Sequence, residues 1–131
     1  MTELEQYIQS YFSVDDNKLT DIASSFHAQK ISKNDFLLKE GRTCGQLSFI
    51  SSGLIRMYTV IDGKEVTQWI STKGYFVTDL ASFIFNTPAR WQIQALTDCD
   101  LYTITKEDYD QLGNTIPEWH HLEKLFIAKC F

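Results

Sequence analysis

The 131-residue chain has no apolar run approaching the roughly 18 to 20 residues that a membrane helix needs. It opens Met-Thr-Glu-Leu-Glu, acidic where a secretory leader would be basic and then apolar. A soluble, cytoplasmic domain is expected. Its three cysteines, Cys44, Cys99 and Cys130, lie far apart with no C-x-x-C pair. That pattern argues against a disulfide framework, a zinc site or a four-cysteine iron–sulfur cluster and predicts buried or half-buried free thiols. Excess positive charge is absent too, since the net charge is −5. Without cations to neutralise phosphates, the domain is not expected to grip DNA by itself. Six glycines and two prolines are too few for a low-complexity chain.

What is present is core-forming material. Apolar residues make up 44% and aromatics 14%, enough for one ordered domain of this length. Leu4, Tyr7, Ile8 and Tyr11 fall at helical spacing, as do Leu19, Ile22, Ala23 and Phe26 after the polar Asp15-Asp16-Asn17, so two amphipathic helices are predicted over residues 1–26. From about residue 27 the period changes to two. The runs 36-FLLKE-40, 46-QLSFISSGLIRMYTVI-61, 64-KEVTQWIS-71 and 99-CDLYTIT-105 are punctuated by Gly and Asp, which predicts an antiparallel sandwich or barrel. Asp62-Gly63 between two such runs predicts a type I′ hairpin turn, and Ser51-Ser52-Gly53 inside the longest run predicts a bulge or corner.

Thr105-Lys106-Glu107-Asp108 resembles a capping box, opening a short helix to about Leu112 that Gly113 would stop. A last helix is predicted from near Pro117. Trp119, Leu122, Phe126 and Cys130 form its apolar stripe, which runs into 125-LFIAKCF-131 without a polar cap. Packing on the sheet accounts for the first half of that stripe; for the final turn a truncated helix or a helix-to-helix dimer seam is expected.

Between the strands lies 76-FVTDLASFIFNTPARWQIQA-95, a short apolar segment, a turn at Asn86-Thr87-Pro88, and an alternating strand. With Lys39-Glu40-Gly41, 47-LSFISSGLIRMYTV-60, 74-GYFVTDLA-81 and 95-ALTDCDLYTITKEDYDQL-112, it resembles the cyclic-nucleotide-binding domain of CRP/FNR-type bacterial transcription regulators. The resemblance implies a mainly β fold with flanking helices: a jelly roll, or β-roll, over residues 27–105, N-terminal helices before it, and C-terminal helices over 106–131 that begin a dimer helix. It also implies an effector-sensing domain, a homodimer through that helix, and DNA binding only through a helix-turn-helix domain that is not in this chain.

In that family a Gly admits the ligand, a Glu takes the ribose hydroxyl, amides at a short helix start hold the cyclic phosphate, and an Arg after the Pro neutralises it. By resemblance those positions hold Thr78, Asp79, Leu80 with Ala81, and Ala89, with Arg90 one residue later. Thr78 adds bulk, Asp79 is a methylene short, and Ala89 removes the bidentate phosphate partner. These changes predict that cyclic AMP is not bound in the usual way. In regular strand geometry Arg90 would face away from Ala89 unless a bulge follows Pro88. The plain alternative is that Asp79 caps a helix over 80–84 and Arg90 is a solvated charge. Phe83, Ile84, Phe85 and Trp91 are bulky for a sugar-phosphate site, which leaves a filled or apolar pocket as plausible as a wet one, and Trp69 reads as core packing.

The five basic residues from Arg42 to Arg90 against three acidic ones leave room for a small anion, a cyclic nucleotide or another anionic effector. Other readings are a dimerisation scaffold without ligand, and a cupin-like binding protein or enzyme. A cupin needs clustered imidazoles on strands, whereas the histidines here are His27, His120 and His121, so no enzyme is expected. Cys44, in 41-GRTCG-45 beside Arg42, looks the most exposed thiol, with a structural turn role favoured over redox sensing.

Overall fold

The first helix begins where Thr2 accepts the Glu5 amide at 3.1 Å on its hydroxyl while the Glu5 carboxylate accepts the Thr2 amide at 2.9 Å. Those backbone and hydroxyl bonds hold the Glu5 carboxyl below its ordinary range. The structure, a computed structural model, describes residues 1–130, the side chains of Lys129 and Cys130 excepted. The chain divides into a helical unit, residues 1–27 with 104–131, and a β unit, residues 28–103.

In the helical unit, α1 (Glu3–Phe12) and α2 (Asp16–Ser24) bury Ile8, Phe12, Leu19 and Ile22. The third helix of the unit spans Lys106–Thr115 and opens on Thr105, whose hydroxyl accepts the Asp108 amide at 3.2 Å. It does not stop at Gly113. It runs one further half-turn and ends at Ile116, in extended geometry, because the residue before Pro117 is barred from the helical region by the proline ring. The last helix, Trp119–Cys130, carries Trp119, Leu122 and Phe126 inward, all buried. Two of them pack on α1: Phe12 stacks on Phe126 at 4.6 Å and on Trp119 at 5.3 Å between ring centres. Lys18 pairs with Glu118. Cys130, the fourth member of the stripe, has its side chain outside the described residues.

The β unit holds two four-stranded sheets. Taking the strands in chain order, β1 (His27–Ile31), β8 (Cys99–Thr105), β3 (Gln46–Ser52) and β6 (Phe76–Val77) form one; β2 (Phe36–Leu38), β7 (Gln92–Ala95), β4 (Ile55–Ile61) and β5 (Lys64–Ser71) form the other. This is the β-roll expected from the sequence. The run 46–61 leaves one sheet and enters the other at Gly53, whose φ is +102°. A Cβ there would meet the Cys99 sulfur at 2.5 Å and the Asp98 carbonyl at 2.6 Å, so glycine is required both by conformation and by the approach of the neighbouring chain. The β4–β5 hairpin closes at Asp62-Gly63, both with positive φ, pairing Ile61 with Lys64.

The core of the unit is Leu38, Leu47, Phe49, Ile50, Ile55, Val77, Phe83, Ile93 and Leu101. Trp69 is not part of it. It is 55% exposed on β5, an edge strand, and touches Tyr75 edge to face. An edge strand has a neighbour on one side only, so its alternation says where a side chain faces but not whether anything covers it. Among the described residues no helix is long and apolar enough to cross a membrane.

Candidate functional site

A six-residue helix, α3 (Leu80–Phe85), separates β6 from β7, and the segment 78–90 around it contains every ligand-contact residue read from the sequence. Since α3 precedes the third helix of the helical unit in the chain, the latter is α4 and the last helix α5.

Asp79 is the N-cap of α3 and is 3% exposed. One carboxylate oxygen accepts the Ser82 amide at 3.2 Å; the other accepts the Arg90 amide at 2.9 Å. A buried carboxylate survives where backbone N–H groups take up its charge, and here two do so. Its reach is thereby directed into the loop that closes behind the helix. The capping role expected of Asp79 is present, and the same side chain also ties down the turn after Pro88, which spacing did not reveal.

Thr78 is buried beside it. Its hydroxyl donates to the Gln46 carbonyl at 3.0 Å and lies 3.3 Å from the Cys44 sulfur. The extra bulk relative to glycine is therefore absorbed inside the fold. Leu80 is half-buried and Ala81 exposed at the start of α3. Ala89 is 4% exposed, and its backbone is fixed on both sides: its amide donates to the Arg42 carbonyl at 2.8 Å and its carbonyl accepts the Gly41 amide at 2.9 Å. Arg90 follows in irregular chain, since β7 begins only at Gln92, and its side chain is exposed. Alternation thus reaches the right orientation for the pair, Ala89 in and Arg90 out, although neither belongs to a strand.

The loop 41–46 was not expected to be part of the site. Thr43 bridges to Pro88, and Ser82 links the two segments by accepting the Cys44 amide at 2.7 Å while donating to the Thr87 carbonyl. Cys44 is 3% exposed, which corrects its reading as the most accessible thiol: the glycines flanking it in sequence say nothing about the helix that covers it. Of the aromatic flank, Phe83 is buried, Ile84 and Trp91 are half-buried and Phe85 is exposed, so only Phe83 contributes to a filled interior. Of the basic residues in this stretch, Arg56 is already engaged by Glu65 at 3.3 Å and by Gln94 at 3.2 Å. Among the described residues no cluster of His, Cys, Asp and Glu is arranged to hold a metal ion.

A β-roll carries a short capped helix between its sixth and seventh strands. The family model of the cyclic nucleotide-binding domain matches residues 28–115, and the chain belongs to that family. No curated protein matches it. Solved structures share the fold. A cyclic nucleotide-binding domain from Methylobacillus flagellatus KT superposes with a TM-score of 0.84 at 14% identity, over 97% of this chain and 73% of that one. The Catabolite Activator Protein of Thermus thermophilus gives 0.79 at 18% identity, over 94% and 57%. The regulatory domain of Toxoplasma gondii PKA, crystallised with cAMP, gives 0.76 at 23% identity, over 84% and 43%. The chain thus spans less than half of the last and little more than half of the Thermus protein. The cyclic-nucleotide-binding domain read from the sequence holds as the family, and the fold is shared with the regulator structure from Thermus thermophilus.

Proposed function

We propose that this chain is the effector-sensing and dimerisation domain of a CRP/FNR-like bacterial transcription regulator, and that its cassette does not hold cyclic AMP in the usual way. The reading is of a cytoplasmic binding domain, not an enzyme; DNA would be contacted by a helix-turn-helix domain outside residues 1–131. The observation that carries it is the Asp79 carboxylate. Each of its oxygens accepts a backbone amide, Ser82 or Arg90, and Ala89, which by resemblance stands at the family's phosphate-partner position, is buried. A ribose hydroxyl would have to reach a carboxylate that is 3% exposed and already tied to two amides, and the cyclic phosphate would lose its cationic fork.

The residues proposed to line the altered site are Thr78, Asp79, Leu80, Ala81, Ala89 and Arg90. A dimer through α5 would use the face that the chain leaves exposed, with Leu125 and Ala128, because Trp119 and Phe126 are stacked on Phe12 of α1 and Leu122 is buried. Titration calorimetry and thermal shift with cyclic AMP and cyclic GMP test the cassette. A ligand that binds only the folded state raises its melting temperature by mass action, so no shift at millimolar nucleotide is expected. A saturable shift with micromolar affinity would overturn the reading.

A further inference from the structure

We propose a second, unassigned binding site for a small organic anion with an apolar body, such as an aromatic carboxylate, in a cavity of about 380 Å³ formed by the chain from Phe36 to Gln46. That volume is at the lower end of the roughly 300–1,000 Å³ typical of small-molecule sites. Its wall is of two kinds. Phe36, Leu37 and Leu38 supply apolar surface; Lys39, Arg42, Thr43 and Gln46 supply polar groups.

The cations are set in place by a turn. The Arg42 amide donates to the Lys39 carbonyl at 3.2 Å and Gly41 has φ of +88°, the geometry of a four-residue turn with glycine at its third position. Lys39 and Arg42 are the ends of that turn, so two cationic side chains leave the backbone from neighbouring points on the rim of the cavity. Neither forms an ion pair among the described residues. Glu40, between them, has its carboxylate beside the Thr59 hydroxyl at 3.5 Å. The Lys39 ammonium lies 5.1 Å from the centre of the Phe36 ring, a cation over an aromatic face. Both cations line the cavity and can attract an anion there; the guanidinium of Arg42 offers a planar fork to a carboxylate. The apolar wall then selects what the carboxylate is attached to.

The cavity is lined by none of the cassette residues, but its wall is hydrogen-bonded to them. Arg42 and Gly41 are hydrogen-bonded to Ala89, Thr43 bridges to Pro88, Cys44 donates to Ser82, and the Gln46 carbonyl takes the Thr78 hydroxyl. An occupant of the cavity would therefore bear on the backbone that fixes the cassette.

The test is titration of the full chain with benzoate, its neutral isostere benzamide, and inorganic phosphate, followed by amide NMR. Benzoate is expected to move the Arg42, Thr43 and Gly45 amides saturably, with benzamide about tenfold or more weaker, the loss that removing one charge-assisted pair produces. The double variant Lys39→Gln, Arg42→Gln, at two exposed positions, is expected to keep its melting temperature and its remaining amide shifts while losing benzoate about tenfold or more. Equal binding by the variant, equal binding of benzamide, shifts that never saturate, or phosphate matching benzoate would each overturn the proposal. Cyclic nucleotide binding is read by calorimetry and thermal shift with a different ligand, and benzoate at the amides of the 42–45 loop, so the two readings fail separately.

Discussion

Asp79 holds Arg90 by its backbone: the carboxylate accepts the Arg90 amide at 2.9 Å, while the guanidinium of the same residue is exposed. An acid and a base eleven positions apart thus meet as cap and loop and not as an ion pair. The consequence is a buried junction between β6, α3 and the turn after Pro88.

Removing that junction is costly in a predictable way. Asp79→Ala deletes a helix cap and strands the buried Ser82 and Arg90 donors, for an expected loss of about 2–4 kcal/mol in urea unfolding. Asp79→Asn, which keeps one acceptor oxygen, is expected to lose about half as much. A loss below 0.5 kcal/mol, roughly the floor for cap removal, would show that the carboxylate is not the anchor.

Gly53 makes a sharper prediction, because the obstruction has two sources. Gly53→Ala is expected to cost about 2–4 kcal/mol, from left-handed backbone and from overpacking against β8. Pairing it with Cys99→Ala removes the sulfur but not the Asp98 carbonyl, so the double variant is expected to recover only part of the loss in a denaturant cycle. Full recovery would mean that backbone strain contributes nothing.

Cys99 itself ties stability to pH. Burial pushes its thiol above the ordinary value. The unfolded chain then ionises at this residue first, so the contribution of Cys99 is complete below the ordinary thiol range, about 8.5, and is lost as pH rises from there through the raised folded value. Denaturant midpoints of wild type and Cys99→Ser, followed from neutral to alkaline pH, are expected to converge with rising pH. Parallel curves would contradict this.

The two faces of α5 separate folding from assembly. Phe126→Ala opens a cavity against Phe12 and is expected to cost about 3–5 kcal/mol in thermal or urea unfolding. Leu125→Glu, at a 39% exposed position, is expected to leave unfolding nearly unchanged and to convert a dimer to monomer in sedimentation equilibrium. A wild type that is monomeric at all concentrations would remove α5 as a seam.

The sequence by itself determined the local grammar of this protein. Period-two runs between turn residues placed β2, β3, β4, β5 and β8 and the alternation after Pro88 placed β7, Asp62-Gly63 fixed a hairpin because both positions need positive φ, and Thr105 with Asp108 opened a helix. Each depends on a few neighbouring residues. Where two local signals competed, the choice was less secure: Gly113 suggested a stop, but Pro117 supplied it through a steric clash that glycine lacks.

Only the tertiary structure decided what each side chain faces. Trp69 and Trp119 are both large apolar residues on periodic elements, yet one is left bare on an edge strand and the other is stacked on Phe12, 107 positions away. Asp79, Ser82 and the 41–46 loop join through contacts across up to 48 positions, between Gly41 and Ala89, and no spacing rule reaches that far. Periodicity reports the direction in which a residue leaves its own backbone; burial and hydrogen bonding depend on what another segment brings to meet it.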